Sequence, residues 1–96
     1  MQIQWTKAAS NDLDSIEDYI WQDNPKAAVR QVLRIIDAVE NNLSSNPWMG
    51  RAGRLPNTRE FVITATPYIV IYRVKNKALE IIRVIHGARK WPPKMQ

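Results

Sequence analysis

The spacing of apolar residues in the first part of the chain predicts one short strand followed by an amphipathic helix. Polar and apolar positions alternate from Gln2 to Trp5, which predicts a strand with one buried face. Apolar residues then recur every three or four positions, which is the period of a helix with one apolar stripe. The stripe comprises Ala9, Leu13, Ile16 and Ile20, and acidic residues occupy the remaining surface at Asp12, Asp14, Glu17 and Asp18.

A second helix is predicted between clear start and stop signals. Asn24 is a good N-cap, and Pro25 suits the first helical position because its missing amide hydrogen is harmless there. The polar run from Ser44 to Pro47 should end the helix. Its apolar stripe comprises Val29, Val32, Leu33, Ile36, Val39 and Leu43.

The second half of the chain predicts an ordered, irregular loop and then three strands. Glycine and proline interrupt any regular pattern from Trp48 to Thr58. The segments Glu60 to Thr64, Tyr68 to Lys75 and Ala78 to His86 are rich in β-branched and aromatic residues, which favour strands. Asn76 tolerates positive φ, so the last two strands should form an antiparallel hairpin.

These elements predict an α+β protein. One strand and two amphipathic helices precede a three-stranded antiparallel segment, and both helices should pack on one face of the sheet, where they bury their stripes. The length of 96 residues fits one domain spanning residues 1–96.

Composition excludes several kinds of chemistry. The chain has no cysteine and one histidine, which excludes disulfides, a cysteine nucleophile and the usual zinc sites. We expect no metal and no cofactor, although carboxylate-bound magnesium remains an alternative. No apolar run approaches the roughly 18 residues that would span a bilayer. We therefore expect a cytoplasmic protein with no membrane partner.

The net charge of +5 is divided unevenly along the chain. Residues 1–48 carry 4 basic and 7 acidic side chains, whereas residues 49–96 carry 10 basic and 2 acidic side chains. The basic half predicts a polyanionic or acidic protein partner, because clustered charge attracts its opposite. Arginine outnumbers lysine by 6 to 4 there, which favours recognition of phosphate or carboxylate. The alternative is a basic face that serves only solubility.

Several polar residues are candidates for a functional site. His86 could act as a general acid or base, or it could simply form a hydrogen bond at the end of its strand. Arg59 and Glu60 are expected to form a structural ion pair. Trp91 could stack on a base or a partner, or it could cap the core. The basic residues that could grip phosphate or a protein target, with surface charge as the alternative, are Arg51, Arg54, Arg83, Arg89 and Lys90.

Three segments of the chain resemble the RelE/ParE superfamily of toxins from bacterial type II toxin–antitoxin modules. They are Arg59-Glu60-Phe61, Tyr68 to Val74, and Ile82 to Arg89. Asp12-Leu13, Ile16 and Tyr19-Ile20 are similar to the first helix of these toxins. The resemblance covers nearly the whole chain and implies the same order of elements.

The resemblance implies one of two activities. RelE-type members cleave messenger RNA in the ribosomal A site, whereas ParE-type members poison DNA gyrase. The RelE pattern places an arginine where this chain has Ile69, and it has a tyrosine beyond the last strand where this chain has Trp91. The His86-Gly87 turn is closer to the ParE group. The resemblance therefore favours a toxin that poisons gyrase. The candidate target-binding residues are the basic residues above and Trp91, namely Arg51, Arg54, Arg83, Arg89, Lys90 and Trp91.

The resemblance also implies partners and leaves alternatives. A cognate acidic antitoxin is expected, and operator DNA would be contacted only through that antitoxin. The first alternative is a ribosome-dependent endoribonuclease that acts on messenger RNA through His86, Arg89 and Arg54. The second is a basic nucleic-acid-binding module without toxicity, whose affinity for isolated nucleic acid would fall steeply with salt.

Overall fold

The computed structural model describes residues 1–88 and 91–92, which form two long helices and five strands. The helices are α1, Lys7–Trp21, and α2, Pro25–Ala38, and α2 continues into a π-helical segment at Val39–Leu43. The strands are β1, Gln2–Trp5; β2, Arg51–Ala52; β3, Arg59–Val62; β4, Tyr68–Lys75; and β5, Ala78–His86.

The five strands form one mixed sheet in the order β1-β5-β4-β3-β2. The predicted antiparallel segment is present as β3, β4 and β5. The sheet extends beyond it at both edges, because β1 pairs with β5 in parallel and β2 pairs with β3 in antiparallel orientation. The α+β class is therefore confirmed, and the sheet is larger than the sequence predicted.

The prediction of an irregular loop from Trp48 to Thr58 is wrong at Arg51–Ala52. These two residues form β2, and they pair with Glu60 and Arg59 of β3. Two residues are too few for a visible alternation, so the partner strand determines this pairing. β3 also lies earlier than the predicted segment, whereas β4 and β5 have the predicted bounds.

The turn between β4 and β5 has the predicted hairpin geometry. Lys75 pairs with Ala78, so Asn76 and Lys77 alone make the connection. Both have positive φ, 53° and 61°, which is the signature of a type I′ turn. Asn76 adopts the conformation that the sequence indicated.

Side-chain caps begin both helices. The Thr6 hydroxyl accepts a hydrogen bond from the Ala9 amide at 3.1 Å, and the Asn24 side-chain oxygen Oδ1 accepts one from the Ala27 amide at 3.1 Å. Each cap satisfies an amide that the helix itself leaves without a partner. The predicted start of the second helix at Asn24-Pro25 is confirmed.

The predicted stripe of the second helix is wrong only at Val29 and Leu33: Val39 and Leu43 are fully buried, and Val32 and Ile36 pack against the core. Ala28, Ile35 and Val39 are fully buried, whereas Val29 and Leu33 are 42% and 53% exposed. Val29 and Leu33 lie in the helical row beside the buried one, and the helix packs through its other side. Ala28 and Ile35, which are absent from the predicted stripe, complete the buried row.

The sheet has a hydrophobic core on each face. The larger core lies between the helices and the sheet and includes Leu13, Ile35, Val70 and Tyr72. The smaller core lies on the opposite face and comprises Ile69, Ile71, Ile85 and Trp91, with Leu55 and Ile82 packed against it. Successive β4 residues therefore enter different cores, which explains why this strand is apolar on both faces.

Residues from α1 and its N-cap cover the edge of β5 beyond the end of β1. β1 pairs with residues 78–81 of β5 only. Next along this edge, the Thr6 amide donates a hydrogen bond to the Ile81 carbonyl at 3.1 Å. Asp12 then accepts a hydrogen bond from the Val84 amide at 2.8 Å and binds both the Nε and Nη2 atoms of Arg83, at 2.7 and 3.0 Å. The sequence presented Asp12 only as one of four surface acids.

Replacement of Asp12 is expected to destabilise the fold. Asp12→Ala leaves the Val84 amide and the mostly buried Arg83 guanidinium without their partner, which should lower the free energy of unfolding by about 2–4 kcal/mol. Asp12→Asn retains an acceptor for Val84 and should lose about half as much. Thermal and urea unfolding measure both changes.

The matched control for this prediction is Asp14→Ala. Asp14 is an exposed acid on the same helix, so its loss should change the unfolding free energy by less than about 0.5 kcal/mol. Equal effects of Asp12→Ala and Asp14→Ala would contradict a role for Asp12 at the β5 edge.

Candidate functional site

The segment that carries Arg51 and Arg54 is attached to the rest of the sheet through Tyr72. The Tyr72 hydroxyl donates a hydrogen bond to the Pro47 carbonyl at 2.9 Å and accepts one from the Gly50 amide at 2.9 Å. A Cβ atom at Gly50 would lie 2.6 Å from this hydroxyl oxygen, so the close approach requires glycine. The buried Tyr72 therefore sets where the loop begins.

The Glu60 carboxylate binds both Arg51 and Arg54. Its side chain is buried, with the residue 3% exposed, and its carboxylate accepts a hydrogen bond from Arg51 Nη2 at 3.0 Å and one from the Arg54 amide at 3.2 Å. The Arg54 guanidinium Nε lies 3.6 Å from the same carboxylate. Both arginine side chains remain about half exposed. Glu60 thus fixes their position and leaves part of each guanidinium available to a partner.

Trp91 brings a third arginine close to this pair. The Arg54 Nη1 atom donates a hydrogen bond to the Trp91 carbonyl at 2.9 Å, and the Arg83 guanidinium carbon lies 5.6 Å from the centroid of the Trp91 ring. The ring is 9% exposed in the smaller core, which matches the core-capping alternative and not an exposed stacking platform. We call Arg51, Arg54 and Arg83 the arginine face, because Glu60 binds Arg51 and Arg54, and Trp91 contacts Arg54 and Arg83.

The expected ion pair between Arg59 and Glu60 is wrong. Adjacent residues of a strand point to opposite faces of the sheet, so the two side chains cannot meet. Arg59 Nη1 instead donates hydrogen bonds to the Trp48 and Gly50 carbonyls, at 3.1 and 2.7 Å, and its guanidinium carbon lies 5.0 Å from the centroid of the Trp48 ring. Arg59 and Glu60 both contact the loop, from different sides of β3.

A second polar cluster surrounds His86 at the other end of the sheet. A cavity of about 320 Å³ lies between α1 and the ends of β4 and β5, and Tyr19, Tyr68 and His86 contribute to its lining. The Tyr68 and His86 rings meet edge to face, with centroids 5.7 Å apart. Burial, with a smaller contribution from Tyr19, raises the pKa of the Tyr68 hydroxyl, so this phenol is neutral at physiological pH and is a hydrogen-bond donor.

His86 has one ring nitrogen engaged within the protein. The Ala88 amide donates a hydrogen bond to His86 Nδ1 at 3.1 Å, and the residue is exposed. Nε2 is therefore the nitrogen left for a target or for proton transfer. The sequence identified His86 but gave no reason to group it with Tyr19 and Tyr68, which lie 67 and 18 positions away along the chain.

The residues proposed for the ribonuclease alternative do not converge in the described structure. His86 pairs with Tyr68 across the hairpin and lines the cavity beside α1, whereas Arg54 contacts Trp91 on the opposite face of the sheet. Arg89 and Lys90, proposed for both activities, lie outside the described residues. Of the proposed target-binding set, Arg51, Arg54, Arg83 and Trp91 do converge.

Within residues 1–88 and 91–92, no three histidine, cysteine, aspartate or glutamate side chains come together as a metal site requires. No helix in the same part of the chain is long and apolar enough to cross a bilayer.

The sequence matches one protein family and is similar to two known relatives. The model of the family described as the ParE toxin of the parDE type II toxin–antitoxin system matches residues 3–91. The chain is 44% identical over 91 residues to Y4kP of Sinorhizobium fredii, whose name describes a candidate toxin. The match covers 95% of this chain and 93% of that protein. It is 39% identical over 88 residues to Toxin RelE2 of Caulobacter vibrioides, covering 92% and 97% respectively.

Two solved structures have a similar fold. The chain is similar to a chain of the chromosomal ParDE system from P. aeruginosa, with a TM-score of 0.83, 30% identity, and coverage of 90% of this chain and 95% of that one. A chain of the RelBE2 toxin–antitoxin complex from Mycobacterium tuberculosis shares the fold, with a TM-score of 0.65, 21% identity, and coverage of 88% and 95%.

Removal of the Tyr72 hydroxyl is expected to release the loop. Tyr72→Phe leaves the Gly50 amide without its acceptor, which should lower the free energy of unfolding by about 1–3 kcal/mol. Tyr19→Phe is the control, because the exposed Tyr19 should tolerate the loss. Unfolding in urea measures both, and equal stability of Tyr72→Phe and wild type would contradict the role of the hydroxyl.

The same hydroxyl should make stability depend on alkaline pH. Burial raises the pKa of Tyr72, against smaller lowering contributions from the Gly50 hydrogen bond and Arg59. The stabilisation is therefore complete below the unfolded-state pKa of about 10 and is lost as pH rises through the raised folded-state value. The difference in unfolding free energy between wild type and Tyr72→Phe should shrink above pH ~10.

Proposed function

The chain belongs to the ParE toxin family of type II toxin–antitoxin systems, and on that premise we propose that it arrests growth by poisoning DNA gyrase. The observation that carries this choice is the ParE family match across residues 3–91. The similarity to the ParDE system at 30% identity supports it. A cognate antitoxin neutralises the toxin, and the basic half of the chain favours an acidic partner.

The surroundings of Ile69 support a toxin that does not cleave RNA. The RelE pattern has an arginine at this position, but Ile69 is buried in the smaller core with Ile85 and Trp91. A guanidinium there would be a buried charge without a partner, which is strongly unfavourable. The apolar surroundings of Ile69 therefore disfavour the arginine that the ribonuclease pattern requires.

The arginine face is the surface that we assign to the gyrase contact. Its guanidinium groups are anchored by Glu60 and Asp12, so little ordering entropy is lost when a partner binds. Arginine forms paired hydrogen bonds with carboxylate and phosphate, and both groups are present in a gyrase–DNA complex. The separation of Arg54 from His86 suits a binding surface better than a catalytic centre, where acid, base and phosphate-binding groups must reach one scissile bond.

The two activities make opposite predictions for the isolated toxin. Expressed without antitoxin, it should trap purified gyrase in cleavage complexes and leave translated messenger RNA intact. The double variant Arg51→Gln/Arg54→Gln should lose trapping by about tenfold or more per arginine, because hydrogen bonds to charged groups contribute about 1.5–3 kcal/mol each.

Arg73→Gln is the matched control for the double variant. Arg73 is also a partly exposed arginine in an ion pair, with Glu80 at 2.6 Å, but it lies near the hairpin turn and away from the arginine face. It should retain trapping. Codon-phased cuts in messenger RNA together with unaffected gyrase would overturn the gyrase proposal.

One observation favours the ribonuclease alternative, and it gives a separate test. The cavity beside α1 places the His86 imidazole against the Tyr68 phenol, and such groups can transfer protons. His86→Asn keeps an acceptor for the Ala88 amide and removes proton transfer. Growth inhibition should remain within about threefold of wild type, whereas a nuclease that depends on His86 would lose about 10²–10⁴-fold in rate. A loss of that size in folded His86→Asn protein would contradict the gyrase mechanism.

A further inference from the structure

A cavity of about 350 Å³ lies at the β2 edge of the sheet, on the side away from the arginine face. Ala52 of β2, Arg59 of β3 and Val74 of β4 contribute to its lining. Arg59 pairs directly with Tyr72, whose ring is in the larger core, so the cavity lies on the helix side of the sheet. Its volume is within the range of roughly 300–1,000 Å³ that small-molecule sites occupy.

An exposed indole forms one wall of this cavity. Trp48 is 58% exposed, and the Arg59 guanidinium carbon lies 5.0 Å from the centroid of its ring. Arg59 Nη1 also donates a hydrogen bond to the Trp48 carbonyl at 3.1 Å. The ring is thus held in place and still has surface left for a second planar group. Stacking on such a ring needs little further ordering.

Arg59 gives the cavity a positive charge that no described acid neutralises. Its Nη1 atom donates to the Trp48 and Gly50 carbonyls, and these neutral acceptors leave the net charge unchanged. None of the ion pairs within residues 1–88 and 91–92 includes Arg59. Residues 89–96 contain no aspartate or glutamate. An anionic ligand in the cavity would supply the missing counter-charge.

A tight turn forms the third wall and presents polar groups. The Thr58 amide donates a hydrogen bond to the Leu55 carbonyl at 3.3 Å, and Asn57 has a positive φ of 62°, as in a type II turn that has Pro56 at its second position. Asn57 is exposed and lines the cavity. Its carboxamide offers one acceptor and two donor hydrogens, a combination that pairs with the edge of a nucleobase.

The three walls together indicate one class of ligand. The indole suits a planar ring, the guanidinium suits an anion, and the turn suits a ring with a hydrogen-bonding edge. Aspartate and glutamate side chains have no ring, and phenylalanine and tryptophan side chains have no charge. A nucleotide combines a planar base, polar groups on the edge of that base, and a phosphate.

We propose that this cavity binds a nucleotide. The base stacks against Trp48 beside Ala52 and Val74, its edge pairs with Asn57, and the phosphate pairs with Arg59. The inference does not depend on gyrase as the target and uses no residue of the arginine face. The nucleotide is either free or one unpaired unit of a nucleic acid strand, since both present the same groups.

The first test is titration of the full chain with AMP, adenosine, ribose 5-phosphate and inorganic phosphate. Calorimetry and the indole N–H signals in NMR spectra measure the affinities. The ligand is varied because Arg59 also holds two backbone carbonyls, so its replacement would disturb the backbone as well as the charge. AMP should bind at least about tenfold more tightly than each of the three fragments, because each fragment lacks the base, the phosphate or both the base and the sugar.

Two variants test the walls of the cavity directly. Trp48→Leu keeps an apolar side chain and should weaken AMP binding by about tenfold or more, because it removes the stacking ring. Asn57→Gly keeps the turn, since glycine tolerates positive φ, and should weaken binding by about threefold to tenfold. Trp21→Leu is the matched control, because Trp21 is 51% exposed and lies outside the cavity. It should stay within about twofold of wild type. Circular dichroism verifies folding.

Several outcomes would overturn the proposal. Wild type that does not bind AMP at millimolar concentration contradicts it. Equal affinity of wild type and Trp48→Leu would place the nucleotide on another surface, and equal affinity for AMP and inorganic phosphate would leave only an anion site. A short peptide with adjacent phenylalanine and aspartate that binds where AMP does not would assign the cavity to a protein partner.

A single-stranded oligoadenylate distinguishes the two sources of the nucleotide. If it binds more than about tenfold more tightly than AMP per nucleotide, with the same loss in Trp48→Leu, the cavity takes one unit of an unpaired strand. If its affinity per nucleotide equals that of AMP, the cavity takes a free nucleotide. Both results support the proposed ligand chemistry.

Discussion

Asp12 takes the place of a strand at the open edge of β5, and much of the molecule depends on this one carboxylate. It accepts the Val84 amide that β1 is too short to reach, and it binds Arg83 through two atoms. The hydrogen bond from the Val84 amide connects α1 to the sheet. The two hydrogen bonds from Arg83 hold its guanidinium over the Trp91 ring. Packing of the helix layer and the geometry of the arginine face are therefore coupled through a single side chain.

The two faces of the sheet contribute differently to stability and to the candidate site. The helix side contains most of the buried apolar surface and thus most of the hydrophobic stabilisation. The opposite side has a small core that includes Trp91, with Leu55 packed against it directly after Arg54 in the chain. Arg51 is paired with Glu60, and Arg83 is paired with Asp12. These arginines can therefore lie beside the small core without leaving a buried charge unpaired.

Local signals were enough to predict several elements from the sequence. Asn24-Pro25 marks a helix start, and Asn76 marks a tight turn, because each acts within a few residues of itself. Contacts between distant residues were not predictable in this way. Asp12 and Arg83 are 71 positions apart, and an acid on a helix surface looks the same whether or not an arginine from another element reaches it. The pairing of Arg59 with Glu60 was inferred from adjacency, which in a strand separates side chains.

The parallel pairing of β1 with β5 has a consequence for how the protein is made. The first strand of the chain joins the last, so β1 has no place in the sheet until synthesis has passed Ile81. Contacts between such distant segments form late and slowly, because a long loop must close before they contribute. The nascent chain can form its helices early, but the arginine face is assembled only after Trp91 has been translated. Chains whose translation stops before Trp91 therefore lack the assembled surface.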